Sequence, residues 1–359
     1  MNPMEEALLL ARKALGNVSP NPAVGAVVVK NGQVMGHGFT QPPGGPHAEV
    51  VALQEAGDKA NGATMYVTLE PHAHQGRTPP CTDAIIHAGI VEVHVATLDP
   101  SPDVNGKGII ALEAAGVRVT VGNHEHEALQ VVEAFVKHAT TGLPFVVAKF
   151  AMSLDGKVAT STGESQWISG PEMRREVHRL RAECDAIMVG IQTALLDDPQ
   201  LTVRELPEPP ERQPLRVVVD SSGRMPATAR MLAEPGQTLV AVAHGTANDY
   251  PLLVNAGAEV IPLPGDDDRV DLQVLLQLLG QRDLTSVLVE GGSTLLGALF
   301  DLGVVDKVVG CVSPVVIGGA QAPTPVGGRG AQRLTDALRL CNVSVATIGN
   351  DVMVTGYPQ

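Results

Sequence analysis

The chain has 359 residues, which corresponds to about two domains, each long enough to bury a core of its own. With 44% hydrophobic residues it reads as globular, and with aromatics at only 3% the cores must be filled by Val, Leu, Ile and Ala. A formal net charge of −14 gives no counterion-release affinity for a phosphate backbone, which counts against a nucleic-acid partner; a few arginines in one pocket can still grip a small anion.

The first segment, MNPMEEALLLARKALG, has no basic stretch followed by a long apolar run, and reads as an amphipathic helix over about residues 3–15 rather than a signal peptide. VGAVVV and QVMGHG follow, joined by Asn31-Gly32, a strong hairpin signal. Next come a helix at about 47–57, a strand ATMYVTL, a helix beginning near Cys81 and a strand VEVHVATL. A helix at about 107–115, a strand VRVTV and a helix at about 124–140 complete this half. A hairpin followed by βαβα predicts a mixed sheet with helices on both faces. Thr141-Gly142-Leu143-Pro144 is a breaker cluster, so the domains are expected to span 1–143 and 144–359. The second half again reads as α/β. FVVAKFA is followed by a helix at about 171–183 and strands near AIMVG, LRVVVD, QTLVAVA, TSVLVE and VDKVVGCVSP, while ELPEPPERQP reads as a solvated loop.

No apolar stretch approaches the ~20 residues of a membrane span. Cys81, Cys184, Cys311 and Cys341 are widely separated and form no CxxC, which fits a reducing cytoplasm. For the last three, small apolar filler is the expected role.

The most informative residues are Pro46-His47-Ala48-Glu49-Val50, Leu69-Glu70-Pro71-His72 and Thr78-Pro79-Pro80-Cys81. H-x-E places a ligand and a carboxylate in the first turn of a helix, where unpaired N–H groups and the dipole favour anionic chemistry. Cys81 also opens a helix, which favours its thiolate. Zinc deaminases use such a set, with three protein ligands, one open position and a non-ligating Glu that moves protons. A solitary H-A-E is more often a surface feature, and it is the added Pro-His and Pro-Cys that point to metal. His74 is an alternative to His72. His37, His87, His94, His124, His126, His138, His178 and His244 have no comparable company and read as ordinary polar residues.

PNPAVG at Pro20–Gly25, then PHAEV, LEPHAHQGRTPPC, HAGI and LDPSPDVNGKG, resemble the deaminase half of the bifunctional deaminase–reductase family of riboflavin biosynthesis, in order over most of residues 2–140. The family usually reads PNPxVG, HAE and LEPCSHxGRTPPC. The resemblance implies a cytidine-deaminase-like three-layer αβα domain with Zn²⁺ on His47, His72 and Cys81, Glu49 as proton shuttle and Asn21 gripping the pyrimidine. Asn21 read by itself is a turn residue. Two residues depart from the pattern. His72 stands where the family has Cys, and Ala26 replaces a frequent Cys.

In the second half, Glu290-Gly291-Gly292-Ser293-Thr294-Leu295 follows a strand and opens a helix, so its backbone N–H groups can approach a phosphate. GxGxxG is absent, and Gly-Gly before a helix is also plain turn chemistry. The segments KFAMSLDGK, GESQWIS, LRAECDAIMVG, LLDDPQLTVR, VVVDSS and VEGGSTL resemble the reductase half of the same family, implying a dihydrofolate-reductase-like α/β domain that binds NADPH. Carried over by position, Ala151, Trp167, Thr193, Asp197 and Ser221 line the cofactor, and Gly292, Ser293, Thr294, Leu295, Leu296, Gly297 and Ala298 hold its phosphates. Lys149, Ser165, Arg181, Leu201, Arg204 and Glu290 contact the substrate. Arginine suits a ribose 5-phosphate because its fork meets phosphate oxygens in pairs. Without the resemblance, Arg181 reads as a helix-surface charge and Trp167 as core packing.

The resemblance thus implies two steps on a phosphorylated pyrimidine ribotide. These are hydrolytic deamination of 2,5-diamino-6-(5-phosphoribosylamino)pyrimidin-4(3H)-one, then NADPH-dependent reduction of the ribosyl chain to ribityl, in a cytoplasmic homo-oligomer with no nucleic-acid or membrane partner. Two alternatives stand beside it. One is a reductase whose deaminase half, disabled by His72, persists as scaffold. The other is a nucleic-acid base editor, against which the acidic charge and the glycine loop argue.

Overall fold

The computed structural model describes residues 2–75, 79–101, 104–207 and 212–359. Gly76-Arg77-Thr78 of LEPHAHQGRTPPC, Pro102-Asp103 of LDPSPDVNGKG and residues 208–211 of the Pro/Glu-rich stretch therefore lie outside the described residues. The chain divides into two compact units, Met1–Leu143 and Pro144–Gln359.

The first unit runs α1 (Pro3–Ala14), β1 (Gly25–Lys30), β2 (Gln33–Phe39), α2 (Ala48–Ala56), β3 (Thr64–Leu69), α3 (Cys81–His87), β4 (Glu92–Thr97), α4 (Lys107–Ala114), β5 (Arg118–Val121) and α5 (Glu125–Thr141). α1 starts with Pro at N1 and a capping box between Asn2 and Glu5, and buries Met4, Ala7, Leu8, Ala11 and Ala14 at helical spacing. Asn31 and Gly32, with φ of 52° and 74°, turn β1 into β2. The sheet order is β2-β1-β3-β4-β5. β1 pairs antiparallel with β2 and β3, and the remaining pairs are parallel. The period-2 alternation of β1 shows the layers. Val27 packs in a cluster with α1 and α5, whereas Ala26 and Val28 pack with Ala48 and Ala52 of α2 and Ile85 of α3. α2 lies directly on the backbone of β2. A Cβ on Gly38 would sit 2.0 Å from the Ala48 carbonyl oxygen, and one on Gly36 2.2 Å from that of Ala52. Those two glycines set the depth at which the start of α2 meets the sheet.

The second unit contains β6 (Phe145–Ser153), α6 (Pro171–Glu183), β7 (Ala186–Gly190), α7 (Ile191–Asp197), β8 (Leu215–Val219), α8 (Arg230–Ala233), β9 (Thr238–Val242), α9 (Pro251–Asn255), β10 (Ala258–Pro262), α10 (Leu272–Gln281), β11 (Ser286–Val289), α11 (Ser293–Asp301), β12 (Lys307–Ser313), β13 (Leu340–Ile348) and β14 (Asp351–Pro358). They build one sheet in the order β10-β9-β8-β7-β11-β6-β12-β14-β13. Its first seven strands are parallel, and the last two return antiparallel. The parallel strands β7 and β11 are buried along nearly their whole length, as strands covered on both faces should be. Asp185, fully buried just before β7, accepts hydrogen bonds from the backbone and hydroxyls of Thr285 and Ser286, and so fastens the starts of β7 and β11 together. Sequence reading names neither β10 nor the β13–β14 hairpin. Among the described residues, no helix is long and apolar enough to cross a membrane.

Candidate active sites

In the first unit, α2 and α3 bring their N-termini together. His47 is the N-cap of α2, and Glu49, in the first turn, is 4% exposed. Cys81 is the first residue of α3 and is buried. His72 follows β3, and its carbonyl accepts the Thr82 N–H at 3.3 Å, tying that segment to the start of α3. His47, His72 and Cys81 converge so that their ligand atoms all lie within 4.8 Å of one another. Cys81 Sγ is 3.4 Å from His47 Nδ1. Two ligands of one tetrahedral zinc, with Zn–S of about 2.3 Å and Zn–N of about 2.0–2.1 Å, stand about 3.5 Å apart. One thiol and two imidazoles form a donor set that suits zinc, and with three protein ligands a fourth position stays open. His74 is exposed and stands outside this group, its ring centroid 5.3 Å from that of His72.

Burial pushes the Glu49 carboxyl up, against the lowering pull of its own backbone N–H, of His47 and of the Cys81 thiol. Burial, then the Glu49 charge and the hydrogen bond to it, raise Cys81. A divalent cation inverts that balance by stabilising the thiolate. Asn21 occupies the turn before β1, half-buried, with its N–H on the Val18 carbonyl at 2.8 Å. Glu70 is a residue whose role sequence reading missed. Its buried carboxylate accepts the N–H groups of Gly106, Gly108, Ile109 and Asp99, and so caps α4 and pins the loop before it.

In the second unit, the residues expected to bind ligands collect at the carboxyl ends of the central parallel strands, where open α/β sheets place their sites. Lys149 and Ala151 share one face of β6, and Glu290 ends β11 between β6 and β7. Arg181, on α6, pairs with Glu290 with Nη2–Oε2 at 2.9 Å, and their side chains are 12% and 7% exposed. Arg181 Nη1 also donates to the Thr202 carbonyl at 3.0 Å, and Lys149 Nζ lies 4.0 Å from Glu290 Oε2. Arg181 is therefore no surface charge. Burial works to raise the Glu290 carboxyl, but Arg181 and then Lys149 hold it at about 2, so it is ionised. Ser165 Oγ donates to Asp197 Oδ1 at 2.7 Å, joining a residue expected at the substrate to one expected at the cofactor. Ser221 Oγ accepts the Val270 N–H at 3.2 Å. Trp167 is 65% exposed with the Arg174 guanidinium 4.8 Å over its ring, which overturns the core-packing alternative.

The glycine segment divides in two. Gly292, with φ 70°, is the N-cap of α11 and supplies no side-chain cap, and Ser293, Thr294 and Leu295 follow with first-turn amides that have no intrahelical acceptor. This is a cradle that fits a phosphate. A Cβ on Gly292 would lie 3.4 Å from Thr193 Oγ1. Leu296 already donates its N–H to the Gly292 carbonyl at 3.0 Å, and its side chain is buried. Gly297 serves packing, since a Cβ there would sit 2.3 Å from the Gly327 backbone. Leu296, Gly297 and Ala298 thus belong to the body of the helix rather than to the loop expected from sequence. Leu201 is 2% exposed and packs in the core around β8. Arg204 has a half-exposed side chain with Nη1 3.3 Å from Thr202 Oγ1. His178 is not the ordinary polar residue expected. It is 5% exposed, and its Nδ1 accepts the Arg204 N–H at 3.4 Å. Burial, then Arg181 and Arg204, hold the ring at about 4, and so neutral.

Fold and sites together define an α/β enzyme in which a deaminase unit precedes a reductase unit. The model of the cytidine and deoxycytidylate deaminase zinc-binding region matches residues 2–97, which include His47, His72 and Cys81, and the model of the RibD C-terminal domain matches residues 144–354. The riboflavin biosynthesis protein RibD of Escherichia coli is 41% identical over 97% of this chain and 96% of its own length, and that of Aquifex aeolicus is 40% identical over 98% and 97%. The RibD structure of Acinetobacter baumannii superposes with a TM-score of 0.87 at 38% identity, covering 99% of this chain and 98% of that one. A deaminase/reductase of Thermotoga maritima gives a TM-score of 0.85 at 36% identity, with the same coverage. The chain belongs to the RibD family, the bifunctional deaminase–reductases of riboflavin biosynthesis.

Proposed function

We propose that the first unit deaminates 2,5-diamino-6-(5-phosphoribosylamino)pyrimidin-4(3H)-one and that the second reduces the ribosyl chain of the product to ribityl with NADPH. The Thermotoga maritima relative is a diaminohydroxyphosphoribosylaminopyrimidine deaminase/5-amino-6-(5-phosphoribosylamino)uracil reductase, which supports this substrate pair. The observation that carries the deaminase half is the convergence of His47, His72 and Cys81 beside a buried carboxylate. Those three residues would hold zinc, which supplies a Lewis acid that makes water nucleophilic near neutral pH. Glu49 takes one proton as water adds to C2 of the ring and passes it to the ring nitrogen, where it stays. As the C2 hydroxyl becomes a carbonyl, Glu49 takes the hydroxyl proton and gives it to the amine, which departs as ammonia. Its burial suits this work, because a carboxyl raised above its ordinary value is the stronger proton acceptor.

In the second unit bound NADPH would supply a hydride for C1′ of the ribose. The amides of Ser293, Thr294 and Leu295 offer donors for a cofactor phosphate, and Thr193 and Asp197 on α7, with Ser221 just beyond β8, line it. The ionised Glu290, fixed by Arg181, presents an acceptor to the pyrimidine edge, with Lys149 as adjacent donor. Arg204 grips the 5-phosphate. On this assignment Arg204→Ala raises KM for the phosphorylated substrate by about 10–100-fold with kcat little changed, the size of a lost hydrogen bond to a charged group. An equal response from the dephosphorylated substrate would remove the phosphate role.

The deciding experiment is elemental analysis beside separate assays of deamination and NADPH oxidation. With Cys at position 72 the bound site would be formally neutral, two thiolates and one imidazole on Zn²⁺. With His it carries +1. A thiolate fewer weakens retention, so the purified protein should hold about one zinc per chain yet lose it to chelators more readily than a His72→Cys variant. His72→Ala should lose most of both the metal and the deaminase activity. Full zinc occupancy in His72→Ala would remove His72 from the ligand set, and wild-type protein that takes up no zinc would leave this half a scaffold and the chain a reductase.

A further inference from the structure

Residues 198–205 carry the Arg204 side chain on a backbone that no regular element supports. Three of its non-glycine residues, Asp198, Leu201 and Glu205, adopt left-handed φ values of 40°, 49° and 61°. Such conformations cost free energy and persist only where the surroundings impose them. Here the surroundings are side chains that reach in and bind the backbone of three consecutive residues. Arg181 Nη1 donates to the Thr202 carbonyl. The Gln213 amide bonds Val203 in both directions, accepting its N–H at 2.7 Å and donating to its carbonyl at 3.1 Å, which imitates a strand partner where there is no strand. His178 Nδ1 accepts the N–H of Arg204. Thr202 and Val203 are buried by these contacts, while the Arg204 side chain stays 40% exposed. The result is a half-exposed guanidinium, its Nε 3.7 Å from Glu205 Oε1, carried on a backbone that is held still.

We propose that Gln213 and His178 are positioning residues for substrate binding, which fix the backbone at Val203 and Arg204 so that the Arg204 guanidinium is preset for its anionic partner. The proposal rests on the reading of Arg204 as the phosphate contact. Arg181 is occupied with Glu290, so Gln213 and His178 are the two clamps whose work is confined to this segment. His178 can do it only as the neutral tautomer with its proton on Nε2, since Nδ1 must accept. Presetting a flexible side chain lowers the ordering cost of binding and leaves the chemical step alone.

Steady-state kinetics of the reductase in the full-length protein, on phosphorylated and dephosphorylated substrate, test this. Gln213→Leu and His178→Leu should each raise KM for the phosphorylated substrate by about 5-fold, the size of one neutral hydrogen bond, with kcat near wild type. KM for the dephosphorylated substrate should not move. In the Arg204→Ala background neither change should raise KM further, because the side chain they position is gone. His178→Asn keeps an acceptor near the same place and should restore most of the affinity. If Gln213→Leu does not fold, Gln213→Glu, which keeps the acceptor for Val203 and loses the donor, carries the same test. Effects that appear equally on both substrates, or that add fully to Arg204→Ala, would overturn the positioning role and leave a purely structural one. If Arg204→Ala itself does not discriminate between the substrates, the phosphate reading fails instead.

Discussion

Glu49→Gln should lower deamination by about 10²–10⁴-fold while NADPH oxidation on deaminated substrate stays near the wild-type rate. Glutamine keeps the volume of the side chain and can still hydrogen-bond, but it cannot take up or release a proton. Glu49 is suited to this exchange by its place. It is 4% exposed, sits in the first turn of α2 and is hydrogen-bonded to the Cys81 thiol, so burial raises its carboxyl and its reach extends to whatever occupies the position beside Cys81. It belongs to the compact unit Met1–Leu143, whereas the reductase residues all lie in Pro144–Gln359. Zinc content should be unchanged in the variant, since His47, His72 and Cys81 form the donor cluster without it. Equal loss of both activities, or loss of metal, would show that Glu49 acts through structure.

The first unit was legible because its signals are local. Asn31-Gly32 can bear the positive φ angles a tight hairpin needs, and the structure shows them at 52° and 74°. H-x-E followed by helical spacing puts both residues at the start of a helix, and the structure has Glu49 in the first turn with His47 one step outside it as the N-cap. The role of Glu70 was hidden, because a carboxylate that accepts N–H groups from residues 29 to 39 positions later leaves no local pattern. His178 was hidden for the same reason, its partner lying 26 residues away on a loop. The second sheet was legible strand by strand but not in order. β11 enters between β6 and β7, which precede it by more than 90 residues, and hydrophobic runs carry no information about such pairing. β13 escaped notice since it is an edge strand with Val343 and Val345 exposed, so no buried face marks its period. The glycine segment was read too long because turn chemistry and a close helix contact both select glycine. Gly292 is there for its φ, and Gly297 for the approach of Gly327.

Breaking the Arg181–Glu290 pair should have the largest effect on stability in the second unit. Glu290→Leu leaves the Arg181 guanidinium, 12% exposed, and the Lys149 ammonium without their shared counter-charge. Removing one partner of a buried pair costs about 3–5 kcal/mol, because the remaining charge stays desolvated. The double replacement Arg181→Met with Glu290→Leu removes both charges and should recover most of that loss, as apolar replacements of buried pairs do. It should not recover reductase activity if Glu290 is, as proposed, the acceptor for the pyrimidine. Stability and function are thus separated by one cycle. Amide hydrogen exchange in β6, β7 and β11 reads the stability of the strands that meet at Glu290 without averaging over the deaminase unit. The pH dependence supplies an independent check. Glu290 is held at about 2 against an ordinary 4.5, so its contribution is complete above about 4.5 and is lost as pH falls through that value toward 2. Wild-type protection in these strands should therefore decline across that window, and the decline should be smaller in Glu290→Leu. A double variant as unstable as the single one, or an unchanged acid response, would mean that the pair is not what holds these strand ends.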